Sequence, residues 1–176
     1  MADSASQLSV ELLGEPAMLA FAADLAAVLD KALAEQTRQG AVAQAAIITL
    51  QGNLGVGKTT LSRGILHGLG HSGAVKSPTY TLVELYQLAL GTVCHFDFYR
   101  LMDPEELEYM GFRDYLVDAR LCLIEWPERG RGFLPDPDIT IDIIQAGEGR
   151  MLTLQAGSSA GGQILLALNQ GYGQLK

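Results

Sequence analysis

The chain has 176 residues, 48% hydrophobic and 18% charged, a composition that favours one globular domain over residues 1–176. Twenty acidic side chains outnumber 12 basic ones, and the formal net charge of −8 should repel phosphate backbones, so we expect no nucleic-acid binding by the chain alone. Because the N-terminus shows neither a basic start nor an apolar signal core, we also expect a cytoplasmic protein with no membrane association.

The first predicted elements are a strand, a long helix and a second strand. Apolar residues alternate with polar ones over residues 8–12, which predicts a short strand. Pro16 then opens a helix, because apolar residues recur after it at the three-and-four spacing of one buried face, and Gly40 should end it. The apolar run 45–50 predicts the second strand, which leads directly into a glycine-rich loop.

The middle of the chain predicts a helix, a hairpin and a short helix. The first of these helices should span about residues 59–70. The strand-like runs 81–88 and 93–99, joined by four turn residues, predict an antiparallel hairpin. Residues 103–106, DPEE, combine an Asp cap, a first-turn proline and an acid three residues after the cap, so they should begin a short helix that Gly111 closes.

The last third of the chain predicts three strands and a helix. Residues 121–124 form an apolar run suited to a strand that is buried on both faces. Residues 139–145 and 151–155 flank a glycine turn and should pair as a second hairpin. A final helix is expected around residues 163–168.

The glycine-rich loop, GNLGVGKTT at residues 52–60, matches the pattern G-x-x-x-x-G-K-[ST]. Its glycines let the main chain turn with N–H groups facing inward around phosphate oxygens, and the following helix directs its dipole at the same charge. Lys58 should reach the β- and γ-phosphates, and the Thr59 hydroxyl should coordinate Mg²⁺. The residues expected to hold the nucleotide are Asn53, Leu54, Gly55, Val56, Gly57, Lys58, Thr59 and Thr60.

Two acidic residues at predicted strand ends suit the chemistry of such a loop. Glu125 follows the apolar run 121–124, as expected of the acid on the Mg²⁺ side. Asp97 lies in VCHFD, residues 93–97, a strand of less uniform character, and His95 shares one face of that strand with it because strand side chains alternate. Either acid alone would be read as a solvated strand-end carboxylate; beside a phosphate loop, we favour a catalytic role for both.

Six sequence blocks carry a more specific resemblance. GNLGVGKTTLSRGILHGLG, VKSPTYTLVELY, HFDFYRL, DPEELEYMGFRDYL, LIEWPERG and LPDPDI occur in this order and closely resemble the TsaE family, bacterial proteins required for threonylcarbamoyladenosine biosynthesis on tRNA. The resemblance implies an α/β fold, a single P-loop NTPase domain whose mixed parallel and antiparallel sheet is flanked by helices. It also implies an ATPase that uses ATP and Mg²⁺ and no other metal. Its protein partners would be TsaB and TsaD, and it would meet tRNA only through them.

The same resemblance implies roles for individual residues. Lys58, Thr59 and Thr60 would bind phosphates, and Thr59 would share the Mg²⁺ ion with Glu125. Asp97 would be needed for hydrolysis. Residues 77–80, SPTY, resemble a switch-like loop beside the nucleotide, and Arg150 resembles a late family position near the base or ribose.

Other functions stay open at this point. A P-loop kinase of a small molecule would need a second pocket and an arginine-bearing lid, and no segment of that kind is obvious. A GTPase is disfavoured because no Asn-Lys-x-Asp stretch occurs. A nucleotide-loaded adaptor with little turnover is the non-enzymatic alternative. Lys76 and Arg100 are either stabilisers of transferring phosphate or ordinary surface charges.

Overall fold

The computed structural model describes residues 6–40 and 44–173, and within these ranges seven strands form one sheet. The strands are β1 (Gln7–Leu12), β2 (Ala46–Gln51), β3 (Val83–Leu88), β4 (Gly91–Asp97), β5 (Leu121–Glu125), β6 (Ile139–Ala146) and β7 (Gly149–Ala156). The helices are α1 (Gly14–Arg38), α2 (Lys58–Gly68), α3 (Glu106–Tyr109), α4 (Phe112–Asp118) and α5 (Ser159–Gly173), with a 3₁₀ turn at Pro127–Gly130. No helix among these residues is both long enough and apolar enough to cross a membrane.

The sheet is mixed, with the strand order β1-β7-β6-β2-β5-β4-β3. Its centre is parallel, because β2 pairs in parallel with both β5 and β6, and β5 pairs in parallel with β4. The remaining pairs, β1 with β7, β6 with β7 and β3 with β4, are antiparallel. The carboxyl ends of the central strands therefore meet at one edge, the usual place for a ligand in an open α/β sheet.

Apolar layers cover both faces of the sheet. On β2, Ile48 and Leu50 belong to the core built with α1, α2 and α5, whereas Ile47 faces the second core, which includes Phe96 and Phe112. This division follows from strand alternation, since successive side chains point to opposite faces. The α/β fold with a mixed sheet flanked by helices is confirmed.

The predicted elements are present, with shifted ends. α1 begins at Gly14, two residues before the proline expected to open it, and α5 extends well beyond the predicted residues 163–168. The first hairpin turns more tightly than expected, because Gly91 already pairs with Leu88. The cap at DPEE is present: Asp103 and Glu106 exchange side-chain bonds with main-chain N–H groups, although α3 itself begins only at Glu106.

Helix α4 was not predicted. Gly111 ends α3, as expected, but it adopts the left-handed φ of +73° and the chain resumes a helix at Phe112. A glycine that ends one helix gives no signal about the next one, so the sequence predicts no helix after Gly111. Phe112 is buried in the second core, and its packing accounts for the extra helix.

Candidate functional site: a phosphate-binding loop at the sheet edge

The glycine-rich loop joins the end of β2 to the start of α2. Gly52 has a φ of +138°, and a Cβ atom there would lie 2.4 Å from the carbonyl oxygen of Ile143. Gly57 has a φ of +118° and immediately precedes α2. Only glycine fits these two positions without strain, because other residues rarely adopt such φ values. The loop therefore delivers its main-chain N–H groups, and the N-terminus of α2, to the cleft at the sheet edge.

A cleft of about 350 Å³ opens at this edge, a size typical of small-molecule sites. It is lined by Leu54, Gly55, Gly57, Lys58, Thr59, Thr60, Ser77, Thr79, Asp97, Tyr99, Glu125 and Trp126. Most of the residues singled out from the sequence thus lie together. Asn53 and Val56 do not line the cleft: Val56 is buried beneath the loop, and its N–H donates to the Asn53 carbonyl at 3.2 Å.

The side chain of Lys58 folds back into the glycine-rich loop. Its side chain is only 4% exposed, and its ammonium donates to the carbonyls of Gly52, at 2.6 Å, and Asn53, at 2.9 Å. The ammonium also lies 4.0 Å from the centre of the Trp126 ring, a cation–π distance. Burial lowers the pKa of Lys58, while the nearby carboxylates of Glu125, Glu128 and Asp97 act in the opposite direction. The two hydrogen bonds and the contact with the Trp126 ring hold the ammonium group at the base of the cleft.

Glu125 ends β5 directly behind the first turn of α2. Its Oε2 atom accepts a hydrogen bond from the Thr59 hydroxyl at 3.0 Å. Its Oε1 atom faces inward and has two neighbours, the Ser62 hydroxyl at 3.3 Å and the His95 Nε2 atom at 2.8 Å. A carboxylate and a hydroxyl side by side offer the hard oxygen ligands that Mg²⁺ prefers, so Glu125 and Thr59 would suit a magnesium ion.

Asp97 lies beside Glu125, because the two residues pair in the parallel register of β4 and β5. Its Oδ2 atom accepts hydrogen bonds from the hydroxyls of Ser77 and of Thr79, the latter at 2.8 Å, and its Oδ1 atom accepts one from the Tyr99 N–H at 2.9 Å. The Ser77 hydroxyl itself lies 2.6 Å from that of Thr79. The loop that resembles a switch is thus tied to the carboxylate at the strand end.

Arg150 lies on the other side of the phosphate loop. Its Nε atom donates to the Val56 carbonyl at 2.8 Å, and it lines a separate cavity of about 260 Å³ with Glu15, Glu148 and the back of the loop. It therefore supports the loop and does not line the main cleft.

Lys76 and Arg100, the two cations whose role the sequence left open, also lie outside the lining of the main cleft. Lys76 is exposed. Arg100 lies 4.1 Å from the centre of the exposed Tyr80 ring and donates to its hydroxyl at 3.0 Å. Nothing in these contacts assigns a catalytic role to either cation.

Sequence reasoning missed several site residues. It placed His95 on the face of Asp97 but did not connect it with Glu125, a contact that depends on the β4–β5 register. Ser62 carried a usable signal, because it follows Thr59 by three residues and so shares its helix face. Ser77 and Thr79 were singled out only through the resemblance, and their bonds to Asp97 could not be read from spacing.

Comparisons with known proteins show which family the chain resembles. Residues 16–152 match the family described as "Threonylcarbamoyl adenosine biosynthesis protein TsaE". The chain is 52% identical over 126 residues to the tRNA threonylcarbamoyladenosine biosynthesis protein TsaE of Haemophilus influenzae, covering 72% of this chain and 80% of that protein. It is 37% identical over 102 residues to the protein of the same name from Bacillus subtilis, covering 58% of this chain and 63% of that protein.

A solved structure also has this fold. Bacillus subtilis YdiB superposes with a TM-score of 0.74 at 25% identity, covering 94% of this chain and 96% of that one. With the family match spanning most of the residues and the P-loop in place, the chain belongs to the TsaE family of threonylcarbamoyl adenosine biosynthesis proteins.

Proposed function

We propose that this chain is a Mg²⁺-dependent ATPase that serves threonylcarbamoyladenosine synthesis on tRNA by acting on the partner proteins TsaB and TsaD. One observation carries the proposal: Lys58, Thr59, Asp97 and Glu125 converge on a single cleft at the mouth of a glycine-rich loop. A loop of this kind binds phosphate, and the two adjacent acids supply what hydrolysis needs in addition.

Each group has a distinct task in this proposal. The main chain between residues 53 and 60 surrounds the phosphates, and Lys58 adds a positive charge from the base of the cleft. Thr59 and Glu125, whose oxygens lie side by side, would hold the magnesium ion. When bound, that ion neutralises charge on the phosphate oxygens and polarises them.

In this proposal Asp97 orients a water molecule toward the terminal phosphate and takes its proton. The carboxylate lines the cleft next to Glu125 and has no cation bound to it among the described residues. Attack of water on the terminal phosphorus breaks its bond to the bridging oxygen, and inorganic phosphate and ADP leave. The hydroxyls of Ser77 and Thr79 hold Asp97 in place, so a movement of their loop would alter its freedom to act.

The charge of the chain supports a role exerted through partners. A net charge of −8 disfavours direct contact with tRNA, so the expected target is a protein that binds tRNA itself. Family membership points to the same process, and TsaB and TsaD are the partners that the family resemblance implies. In this scheme ATP hydrolysis resets the partner complex between rounds of modification.

Release of inorganic phosphate from ATP tests the proposal. The full-length chain should turn ATP over slowly by itself and at least about tenfold faster with TsaB, TsaD and tRNA, because partner groups can complete a P-loop site. Lys76→Ala removes an exposed cation that does not line the cleft, so it is the matched control and should behave like the wild type. Two outcomes contradict the ATPase: transfer of phosphate to a metabolite would indicate a kinase, and binding without turnover under every condition would indicate an adaptor.

A further inference from the structure

His95 is a completely buried histidine beneath the proposed magnesium site. It lies on β4 two residues before Asp97, has no exposed surface and does not line the cleft. Its Nε2 atom lies 2.8 Å from Oε1 of Glu125. An ionised carboxylate can only accept a hydrogen bond, so Nε2 carries the proton and donates it.

The contact divides the two oxygens of Glu125 between two tasks. Oε1 points away from the cleft and accepts from His95 and from Ser62, while Oε2 accepts from Thr59. Two donors on the inner oxygen fix the plane of the carboxylate, and this turns the outer oxygen toward Thr59. Groups that hydrogen-bond a metal ligand in this way commonly set its orientation and affinity.

We propose that His95 is a positioning residue that holds the Glu125 carboxylate in the orientation needed to bind Mg²⁺ together with Thr59. This inference rests on the proposed function, since it concerns the same site. His95 does not touch the nucleotide, and it acts only through Glu125.

A purely structural role explains the position less well. The neighbouring inward residues Val93, Cys94 and Phe96 are apolar, and an apolar side chain would fill the same space without bringing buried nitrogens into the core. Within the described residues, the Nδ1 atom of His95 has no hydrogen-bond partner. The only hydrogen bond of the imidazole ring there is therefore the one between Nε2 and Glu125. The contact with the Glu125 carboxylate therefore explains why a histidine occupies this buried position.

Mn²⁺ binding, followed by electron paramagnetic resonance in the presence of ADP, separates these roles. Two amide variants form a matched pair. In His95→Gln the side-chain nitrogen can occupy the place of Nε2, whereas in His95→Asn it reaches only the place of Nδ1. We expect His95→Asn to weaken Mn²⁺ binding about 10- to 100-fold. His95→Gln should stay within about threefold of the wild type, because it restores the same donor.

A second readout distinguishes a positioning role from general damage to the site. Trp126 lies against Lys58 in the cleft, so its fluorescence should report ADP binding in EDTA. Both amide variants should bind metal-free ADP within about twofold of the wild type, because His95 is not part of the cleft lining. Equal losses of metal-free ADP and of Mn²⁺ would overturn the proposal.

Coupling to Glu125 is tested by a double-mutant cycle. In a Glu125→Ala background, His95→Asn should cause no further loss of Mn²⁺ affinity, because the group through which it acts is gone. An undiminished loss in that background would overturn the proposal, as would wild-type Mn²⁺ affinity in folded His95→Asn. If His95→Asn fails to fold, His95→Leu takes its place with the same expected loss and the same contradiction.

The two proposals fail in different ways. A wild-type chain that binds neither ADP nor Mn²⁺ would refute the phosphate site itself. Wild-type binding that His95→Asn leaves unchanged would refute only the role of His95.

Discussion

At the residue scale, the site stands out by where the chain buries polar groups. Six polar or charged side chains are buried among the described residues: Thr49, Lys58, Ser62, His95, Asp97 and Glu125. All but Thr49 lie in the cleft or directly beneath it. Burying such groups is costly unless they are paired, so their concentration in one place marks the part of the molecule where function outweighs stability.

Replacing Asp97 with alanine should separate binding from hydrolysis. The variant lacks the carboxylate that would take a proton from water, so turnover should fall by about 10²- to 10⁴-fold. ATP affinity should change little, because the phosphate loop and Lys58 remain in place. Phosphate release in the presence of the partners measures turnover, and Trp126 fluorescence measures affinity.

Asp136→Ala is the control for that variant, since Asp136 is exposed and does not line the cleft. It should match the wild type in both assays. Unchanged turnover in Asp97→Ala would remove Asp97 from the mechanism. A parallel loss of affinity would instead mean that Asp97 mainly supports the site through Ser77 and Thr79.

The sequence could predict the residues of the site that follow from local rules. Lys58 and Thr59 belong to a motif with a known spacing. Asp97 and Glu125 lie in strand-like runs, and the presence of that motif is what favoured a catalytic role for them. The contact between His95 and Glu125 could not be found in this way, because it depends on how β4 and β5 align. Strand register is set by packing across the whole sheet.

At the element scale, the close approach of α1 to α2 determines where the phosphate loop can lie. A Cβ atom at Gly64 would lie 2.5 Å from Cβ of Ala22, and one at Gly68 would lie 2.6 Å from Cβ of Ala26. These small residues allow the two helices to pack closely. Because α2 begins at Lys58, its packing on α1 also positions the start of the phosphate site.

A pair of glycine variants tests this packing. Gly64→Ala should destabilise the fold by about 1–2 kcal/mol, because overpacking outweighs the gain in helix propensity. Gly171→Ala in α5 should stabilise it by up to about 0.5 kcal/mol, because nothing lies within 4 Å of the added methyl group. Urea denaturation measures both. Shifts of the same sign in the two variants would contradict the packing argument.

Local signals also explain which elements could be predicted. The first hairpin and the strand 121–124 were predicted because apolar patterns and turn residues bound them on both sides. The full length of α5 could not be predicted, since glycines at its start and end weaken its helical pattern. Its buried residues Ile164, Leu165 and Leu168 also join a core that forms only when the chain folds.

At the scale of the whole molecule, the excess of acidic residues sets how the chain can meet its target. The formal net charge of −8 gives a repulsive field for polyanions at moderate ionic strength. A protein with this charge should approach tRNA only when another protein presents it.

Labelled tRNA tests this directly by fluorescence anisotropy. At about 0.15 M salt, the chain alone should show no saturable binding up to about 100 μM. Its affinity for tRNA would then be no higher than the weakest ordinary non-specific binding. When TsaB, TsaD and nucleotide are also present, the chain should bind to the complex that contains the labelled tRNA and raise its anisotropy. Micromolar or tighter binding of tRNA by the chain alone would contradict the indirect role.

Calorimetric titration with Mg·ATP is the most direct test of the claim that the loop at residues 52–60 binds a triphosphate. The wild-type chain should bind one equivalent, and Lys58→Ala should lose about 10- to 100-fold in affinity, because it removes a charge-assisted contact from the base of the cleft. Lys76→Ala should titrate like the wild type. A folded wild-type chain without measurable binding, or a Lys58→Ala variant that binds as tightly as the wild type, would contradict the account.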